Sequence, residues 1–421
     1  MSDAFEPSCR IAILSVHTSP LELPGSGDAG GMNVYIREVA AELARRNVRS
    51  DVFTRRTSED EPDVTELFGG VRVYAVRVGP PRPVHKERLP RLMKRFADAV
   101  DERARIEGPY EAIHAHYWLS GVAGAELGRR WRKPLVVSFH TLARVKDLAS
   151  PGDPPEPIFR KRGEDRVIGS ADRIIAPTAT ERDQLIDLYG APASRIFVAP
   201  PGVDLDRFSP GDRAAAKRRF GFSDDPLVVF VGRLQTFKGT DVAVDALGHL
   251  KRLVPDARLA IVGGDSPRGS RGERMRLRLT ARRLGVSDRL RFMEPVMHTE
   301  LPELYRAADV VVVPSASESF GLVALEASAC GTPVVATAVG GLRSIVRDGE
   351  TGYLVTRRDP KAFAAALSRV LAHPGAQHRL GANAARIARR FPWSRTTDAI
   401  LDTYASVMAC PDVRRALASA R

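Results

Sequence analysis

Over its second half the chain alternates short, mainly apolar runs with longer stretches in which apolar residues recur every three or four positions. The runs fall at 227–231, 258–262, 290–293, 309–313, 334–339 and 353–355. The intervening helical patterns lie near 239–252, 273–284, 300–307, 322–329 and 360–372. Runs this short and β-branched are buried strands rather than helices. Strand and helix in regular turn predict a doubly wound parallel sheet.

The first half reads the same way with weaker punctuation. Strands are expected at 10–16, at a segment ending near Asp51-Val52-Phe53, and at 71–78, 111–116, 134–140, 173–178 and 195–199. Helices are expected at 33–46, from the Pro-rich PPRPVHKERLP loop to about Arg105, through Arg160, Arg162 and Glu164, and at 179–189, with 147–157 as loop. The run PPGVDLDRF at 200–208 has the prolines and glycine of a connector. A chain of 421 residues exceeds one core. The fold class is therefore α/β with two Rossmann-like domains, 1–201 and 202–395, and the chain is helical after Leu354.

Composition narrows the function. A formal charge of +13 invites nucleic acid as a partner. Yet Lys and Arg are interleaved with Asp and Glu, aromatics are few, and no basic run carries stacking residues, so no nucleic-acid partner is expected. Cys9, Cys330 and Cys410 are far apart and odd in number, which suggests reduced thiols rather than disulfides or zinc. The N-terminus lacks a basic leader pattern, and no apolar run approaches the ~20 residues of a membrane span. A cytoplasmic location is the expectation.

Chemistry concentrates at two places in the second domain. After the strand at 309–313 come Pro314, a loop holding Glu318, and a helix holding Glu326. Carboxylates there can accept hydrogen bonds from sugar or ribose hydroxyls, while the helix N–H groups face a diphosphate. After the strand at 227–231 comes GRLQTFKGTD, where Arg233 and Lys238 can neutralise a leaving diphosphate without a metal. Each cation alone reads as surface charge; at the carboxyl edge of one sheet the four form a site. In the first domain His140 and Tyr117 end strands at the corresponding edge. Lys86 by itself reads as a solvated charge. A G-x-G-x-x-G from Gly25 to Gly30 fits a dinucleotide turn poorly, because residues 17–24 separate it from its strand and no acidic residue follows the second strand. Its glycines still allow close backbone approach to a ligand. Asp204-x-Asp206 resembles a metal-binding D-x-D but sits in the connector.

The run P-S-x-S-E-S-F-G-L-V-x-L-E-A-x-A-C-G-T-P-V-V at 314–335 resembles the donor-site signature of retaining glycosyltransferases with the two-lobed GT-B fold, a group that includes sucrose-phosphate synthase. Further motifs, V-H-T-S-P, G-S-G-D-A-G-G-M-N-V-Y, H-Y-W-L-S-G, F-H-T-L-A-x-V-K, P-E-P-x-x-R-x-x-G-E and G-R-x-Q-x-x-K, are similar to the mycothiol-pathway inositol-phosphate glycosyltransferases over nearly the whole chain. That family resemblance implies transfer of N-acetylglucosamine from UDP-N-acetylglucosamine to 1D-myo-inositol 3-phosphate, a phosphorylated cyclitol. It implies donor binding by Leu23, Pro24, Gly31, Arg233, Lys238, Val296, Glu318 and Glu326. Acceptor binding would fall to His17, the loop Asp28, Ala29, Gly30, Gly31, Met32 and Asn33, and Lys86, Tyr117, Thr141 and Arg160. His140 would line the reacting face, and with Glu318, Arg233 and Lys238 would make up the catalytic set. The resemblance further implies a non-catalytic magnesium near Tyr305, Arg306, Ala308 and Thr332, a homodimer, and a C-terminal helix, about 396–421, that returns to the first domain. The chain departs from the family pattern at Asp165-Arg166, Ala176-Pro177-Thr178, Thr236-Phe237 and a basic stretch at 263–271. Two other readings stand beside this one: a related transferase with another acceptor, and a basic nucleotide- or nucleic-acid-binding protein.

Overall fold

A computed structural model describes residues 9–25, 27–152, 154–264 and 272–420. Most of the basic stretch at 263–271, from 265 onward, lies outside the described residues. The chain divides into two compact units. One holds the residues up to Glu22, Met32–Pro200 and those from Trp393 on; the other holds Leu23–Gly31 and Pro201–Pro392.

The first unit is built on eight strands: β1 (Arg10–Leu14), β2 (Arg49–Arg55), β3 (Val64–Phe68), β4 (Val71–Val76), β5 (Ala112–His116), β6 (Leu135–Ser138), β7 (Arg173–Ala176) and β8 (Ile196–Val198). Their order is β3-β4-β2-β1-β5-β6-β7-β8. Only the β3–β4 pair is antiparallel. The second unit has β9 (Leu227–Val231), β10 (Arg258–Val262), β11 (Leu290–Met293), β12 (Val310–Val313), β13 (Val334–Thr337) and β14 (Gly352–Val355), parallel throughout and ordered β11-β10-β9-β12-β13-β14. In each sheet the winding reverses beside its first strand, between β1 and β5 and between β9 and β12. Ligands bind at the carboxyl ends of strands at such switch points.

The mainly apolar character of the second unit's strands has a direct cause. Val228, Phe230, Val310 and Val312 pack into the cluster with Val244, Leu247, Phe363 and Leu367. Their neighbours Leu227, Val229, Val311 and Val313 pack into another with Leu304, Tyr305 and Leu325. Successive side chains of a strand point to opposite faces, and helices cover both faces here.

Several elements differ from the sequence expectation, among them the short helices Arg213–Arg219 and Leu342–Ile345, which were not expected. The strand β3 was not foreseen, because an edge strand with a half-exposed pattern carries little apolar signal. A helix at Tyr117–Trp131 follows β5 directly, where the sequence suggested only a strand end. Its glycines blur the helical pattern, and packing explains two of them. A Cβ on Gly121 would stand 2.5 Å from Val167 Cγ1, and one on Gly124 2.8 Å from Leu135 Cδ1. The expected loop at 147–157 begins inside a helix, Ala143–Ala149. Six strands stop one or two residues short of their expected ends: β1 at Leu14, β4 at Val76, β6 at Ser138, β7 at Ala176, β8 at Val198 and β13 at Thr337.

Residues 23–31, read from sequence as part of the first domain, pack with the second unit. Gly264 N donates to Gly25 O at 3.1 Å, Gly25 N to Ala29 O at 3.1 Å, and Arg233 Nη1 lies 3.6 Å from Asp28 Oδ1. Spatial partners, not chain order, decide to which unit a loop belongs.

Candidate functional site

In the second unit the loops after β9 and β12 are fastened to one another. Ala316 N donates to Phe237 O at 2.9 Å, and Arg358 spans both loops through Pro314 O (2.9 Å) and Thr236 O (2.5 Å). Lys238 Nζ consequently reaches Glu318 Oε1 at 2.6 Å, and Ser315 Oγ donates to the same oxygen at 2.9 Å. Two glycines permit this approach. Gly239, at φ +79°, has Pro314 O 2.2 Å from where a Cβ would stand, and Gly340, at φ +46°, has Glu318 O at 1.8 Å. Glu318 O also accepts from Gly341 N at 3.1 Å.

Glu326 lies in the helix Leu322–Ala329 and is buried. Its Oε1 is 2.9 Å from His298 Nε2, and its Oε2 accepts from Tyr305 OH at 2.9 Å. Each carboxylate oxygen keeps a further lone pair for a ligand hydroxyl. Arg233 faces Asp28 rather than Glu318 or Glu326. The four expected donor-side residues thus appear as one direct pair, Lys238 with Glu318, and two others with partners of their own. Leu23 is exposed, Pro24 and Val296 are half-buried, and Gly31 lies against Leu322, whose Cδ1 would be 3.2 Å from an added Cβ.

In the first unit the switch point gathers part of the expected acceptor set. His17 follows β1 and Tyr117 follows β5; their rings are 4.5 Å apart. Lys86 Nζ lies 5.8 Å and Arg160 Cζ 5.2 Å from the Tyr117 ring centroid. Arg160 Nη2 donates to Thr141 O (3.1 Å) and Thr141 Oγ1 (3.0 Å). Tyr117 holds a left-handed backbone, φ +72°, which turns its ring aside at the strand-to-helix corner. Asn33 is buried. Its Nδ2 donates to Thr18 Oγ1 (2.7 Å) and Ser19 O (2.5 Å), so its side chain fixes the turn that carries His17. Met32 packs on the first unit's core, Ala29 is buried, and Asp28, Gly30 and Gly31 lie with the second unit.

His140 also has a left-handed backbone, φ +59°. Its Nε2 is 2.9 Å from His116 Nδ1, and its ring centroid is 5.2 Å from that of Tyr35. Burial pushes His140 down to about 3, so its imidazole is neutral at physiological pH.

Sequence reasoning missed the partners that aim these groups. Arg160 is gripped by Glu164 (Nε to Oε1, 2.8 Å) and Glu156 (Nη1 to Oε2, 2.9 Å). Four-residue spacing on either side of Arg160 was the available signal. His298 and Ser315 carried none, since each meets its carboxylate through loop geometry.

The four residues expected near magnesium do not fit a cation through their side chains. The Arg306 guanidinium is itself positive and is bound to Ser209 O (2.7 Å) and Glu303 Oε1 (2.6 Å). Thr332 Oγ1 donates to Tyr305 O at 2.6 Å, Tyr305 OH is committed to Glu326, and Ala308 offers only main chain. Asp204, in the D-x-D, caps its own turn by accepting from Asp206 N and Arg207 N, both at 3.1 Å. Among the described residues no group of three or more His, Cys, Asp or Glu side chains is arranged for a metal. None of their helices is long and apolar enough to cross a membrane.

Comparison with known proteins agrees with this arrangement. A family model described as "Glycosyl transferases group 1" matches residues 212–387, and one described as "Glycosyltransferase Family 4" matches residues 29–207. The chain is 50% identical over 403 residues to the D-inositol 3-phosphate glycosyltransferase of Geodermatophilus obscurus, covering 94% of this chain and 89% of the relative. It is likewise 50% identical over 403 residues to that of Actinosynnema mirum, covering 94% and 96%. Among solved structures, sucrose-phosphate synthase from Thermosynechococcus elongatus matches with a TM-score of 0.87 and 33% identity, over 94% of this chain and 98% of that one. Two doubly wound sheets with these matches define a glycosyltransferase of the GT-B class. Within that class, the chain belongs to the family of its D-inositol 3-phosphate glycosyltransferase relatives.

Proposed function

We propose that this glycosyltransferase moves N-acetylglucosamine from UDP-N-acetylglucosamine to 1D-myo-inositol 3-phosphate, the first step of mycothiol synthesis, with retention of anomeric configuration. The observation that carries the acceptor reading is the convergence of Lys86, Tyr117, Thr141, Arg160 and His17 at the β1/β5 switch point. Two cations with hydroxyl donors beside them suit a phosphate, which takes charge-assisted hydrogen bonds from each. The names of the half-identical relatives point the same way.

On the donor side, Lys238, Arg233 and the N–H groups opening the helix Leu322–Ala329 would stabilise the departing diphosphate. Glu318 would hold sugar hydroxyls. Glu326, fixed by His298 and Tyr305, would accept from the ribose. The Glu318 carboxylate is turned onto Lys238 and Ser315, a posture suited to binding rather than to nucleophilic attack. The acceptor hydroxyl then attacks the anomeric carbon on the leaving-group face. The new C–O bond forms as the bond to UDP breaks, and the hydroxyl proton passes to a diphosphate oxygen. His140, neutral, lines this face without taking the proton.

Incubation with UDP-N-acetylglucosamine, with and without inositol 3-phosphate, tests the reading by mass spectrometry. An adduct of one N-acetylhexosamine on inositol phosphate is expected. Its absence, with transfer to another sugar phosphate instead, would assign the site to a different acceptor.

A further inference from the structure

Arg160, a cation placed for an acceptor phosphate, is already engaged by the protein at each of its three nitrogens. Its Nε, Nη1 and Nη2 are bound to Glu164, Glu156 and Thr141, and only 5% of its side chain is exposed. The two carboxylates are held differently. Glu164 is built into the fold: besides Arg160 it accepts from Ala143 N (3.1 and 2.9 Å) and from Tyr189 OH (2.5 Å). Glu156 sits just before the helix Ile158–Ser170 and lies between two cations, Arg160 and Lys146. Its main chain is anchored separately, with Glu156 N donating to Asp147 Oδ1 at 2.7 Å.

The charges in this group cancel, Arg160 and Lys146 against Glu156 and Glu164. A phosphate dianion brought beside such a set gains little and meets repulsion from the nearer carboxylate. A carboxylate bridging two cations occupies the place between them that a phosphate would take. Burial alone would raise the Glu156 carboxyl, but Arg160 and Lys146 hold it down at about 2, so it is ionised throughout the working range.

We propose that Glu156 is a resident counter-anion: the acceptor's phosphate displaces its side chain from Arg160 and Lys146, and this exchange restricts the site to acceptors that carry a dianion. The inference rests on the phosphorylated-acceptor reading above. A neutral polyol cannot replace the carboxylate and so cannot open the cation pair. A phosphate replaces one anion with another of greater charge. Lys146, absent from the expected acceptor set, becomes a phosphate contact once Glu156 has turned away. Glu164 stays, keeping Arg160 aimed.

The test compares wild type with Glu156→Gln, an isostere without the charge, using inositol 3-phosphate as acceptor and inorganic phosphate as competitor. The acceptor KM should fall about three- to tenfold, and inorganic phosphate should inhibit at correspondingly lower concentration, because the Glu156 charge no longer competes for the cations. A KM that rises or stays the same would overturn the inference, since that is the effect of a residue that merely holds Arg160 in place. Glu156→Ala makes the same directional test if the glutamine variant does not fold. A crystal structure of the wild type with acceptor gives a second reading; the Arg160–Glu156 bridge still at 2.9 Å with phosphate bound would equally overturn it. If the wild type transfers to inositol phosphate but the variant fails these tests, only the counter-anion role falls. If the wild type transfers to no phosphorylated acceptor, the functional reading falls and takes this inference with it.

Discussion

Lys238 Nζ and Glu318 Oε1 are 2.6 Å apart although 80 residues separate them, because β9 and β12 are neighbours in the sheet and end at the same edge. The pair is part-buried, with 28% of the lysine and 16% of the glutamate side chain exposed. Under the proposed function a diphosphate would meet a cation already oriented by a fixed anion, leaving little reorganisation for the reaction. Replacing Lys238 with Met should lower kcat/KM by about 10²–10³. Steady-state kinetics with UDP-N-acetylglucosamine checks this, and a variant retaining wild-type kcat/KM would remove Lys238 from the chemistry.

Lys86 makes the complementary case. Its Nζ lies above the Tyr117 ring in the first unit, whereas the Lys238–Glu318 pair belongs to the second unit's sheet. Lys86→Ala should raise the acceptor KM by about tenfold or more, the loss of one charge-assisted contact. UDP affinity, measured by calorimetry, should not follow it. Equal losses on both sides would mean that the lysine supports the fold rather than the acceptor.

Gly239 and Gly340 test whether the paired loops need their backbone shape. Both have positive φ, and an added Cβ at either meets a main-chain oxygen at 2.2 or 1.8 Å. Alanine at either position should destabilise by about 1–3 kcal/mol from backbone conformation alone, with the collision adding to it. Thermal melting would register a drop of several degrees, together with weaker UDP binding. An unshifted melting temperature would show that the loops can rearrange.

The buried histidines predict a pH dependence. Burial, with His140 adding to it, pushes His114 down to about 3, and burial with His114 and His140 nearby holds His116 well below the ordinary range. Neither has exposed surface. His114 is fixed as a neutral ring between Tyr404 OH (2.8 Å) and Ser138 Oγ (3.0 Å). The unfolded chain therefore binds more protons than the folded one between the ordinary value near 6.5 and the folded values. Stability is full above that range and falls as pH drops through it. Lowering the pH from about 7.5 to about 5.5 should cost on the order of 1 kcal/mol for each histidine kept neutral, His140 included. Urea titrations at the two pH values check the sign; a protein no less stable at the lower pH would contradict the burial of neutral rings.

What the amino-acid order settled by itself is local and repetitive. The second unit's strands at 227–231 and 258–262 and its helices at 273–284 and 322–329 stand where periodicity put them, because a strand buried on both faces leaves a nearly unbroken apolar run. The family was legible too, since the motif residues that carry the resemblance, Glu318 and Glu326 among them, lie close together within one strand-loop-helix unit. Tertiary structure decided the rest, for reasons of distance. Glycines that admit Val167 and Leu135 hid the helix at Tyr117–Trp131, and a one-sided edge left β3 without signal. Residues 23–31 belong with the second unit through contacts to Gly264 and Arg233 that no spacing announces. Which anion each cation meets, Lys238 with Glu318, Arg233 with Asp28, Arg160 with Glu156 and Glu164, depends on where strands end in a folded sheet. Ion pairing falls off within a few ångströms, and chain order alone does not measure ångströms.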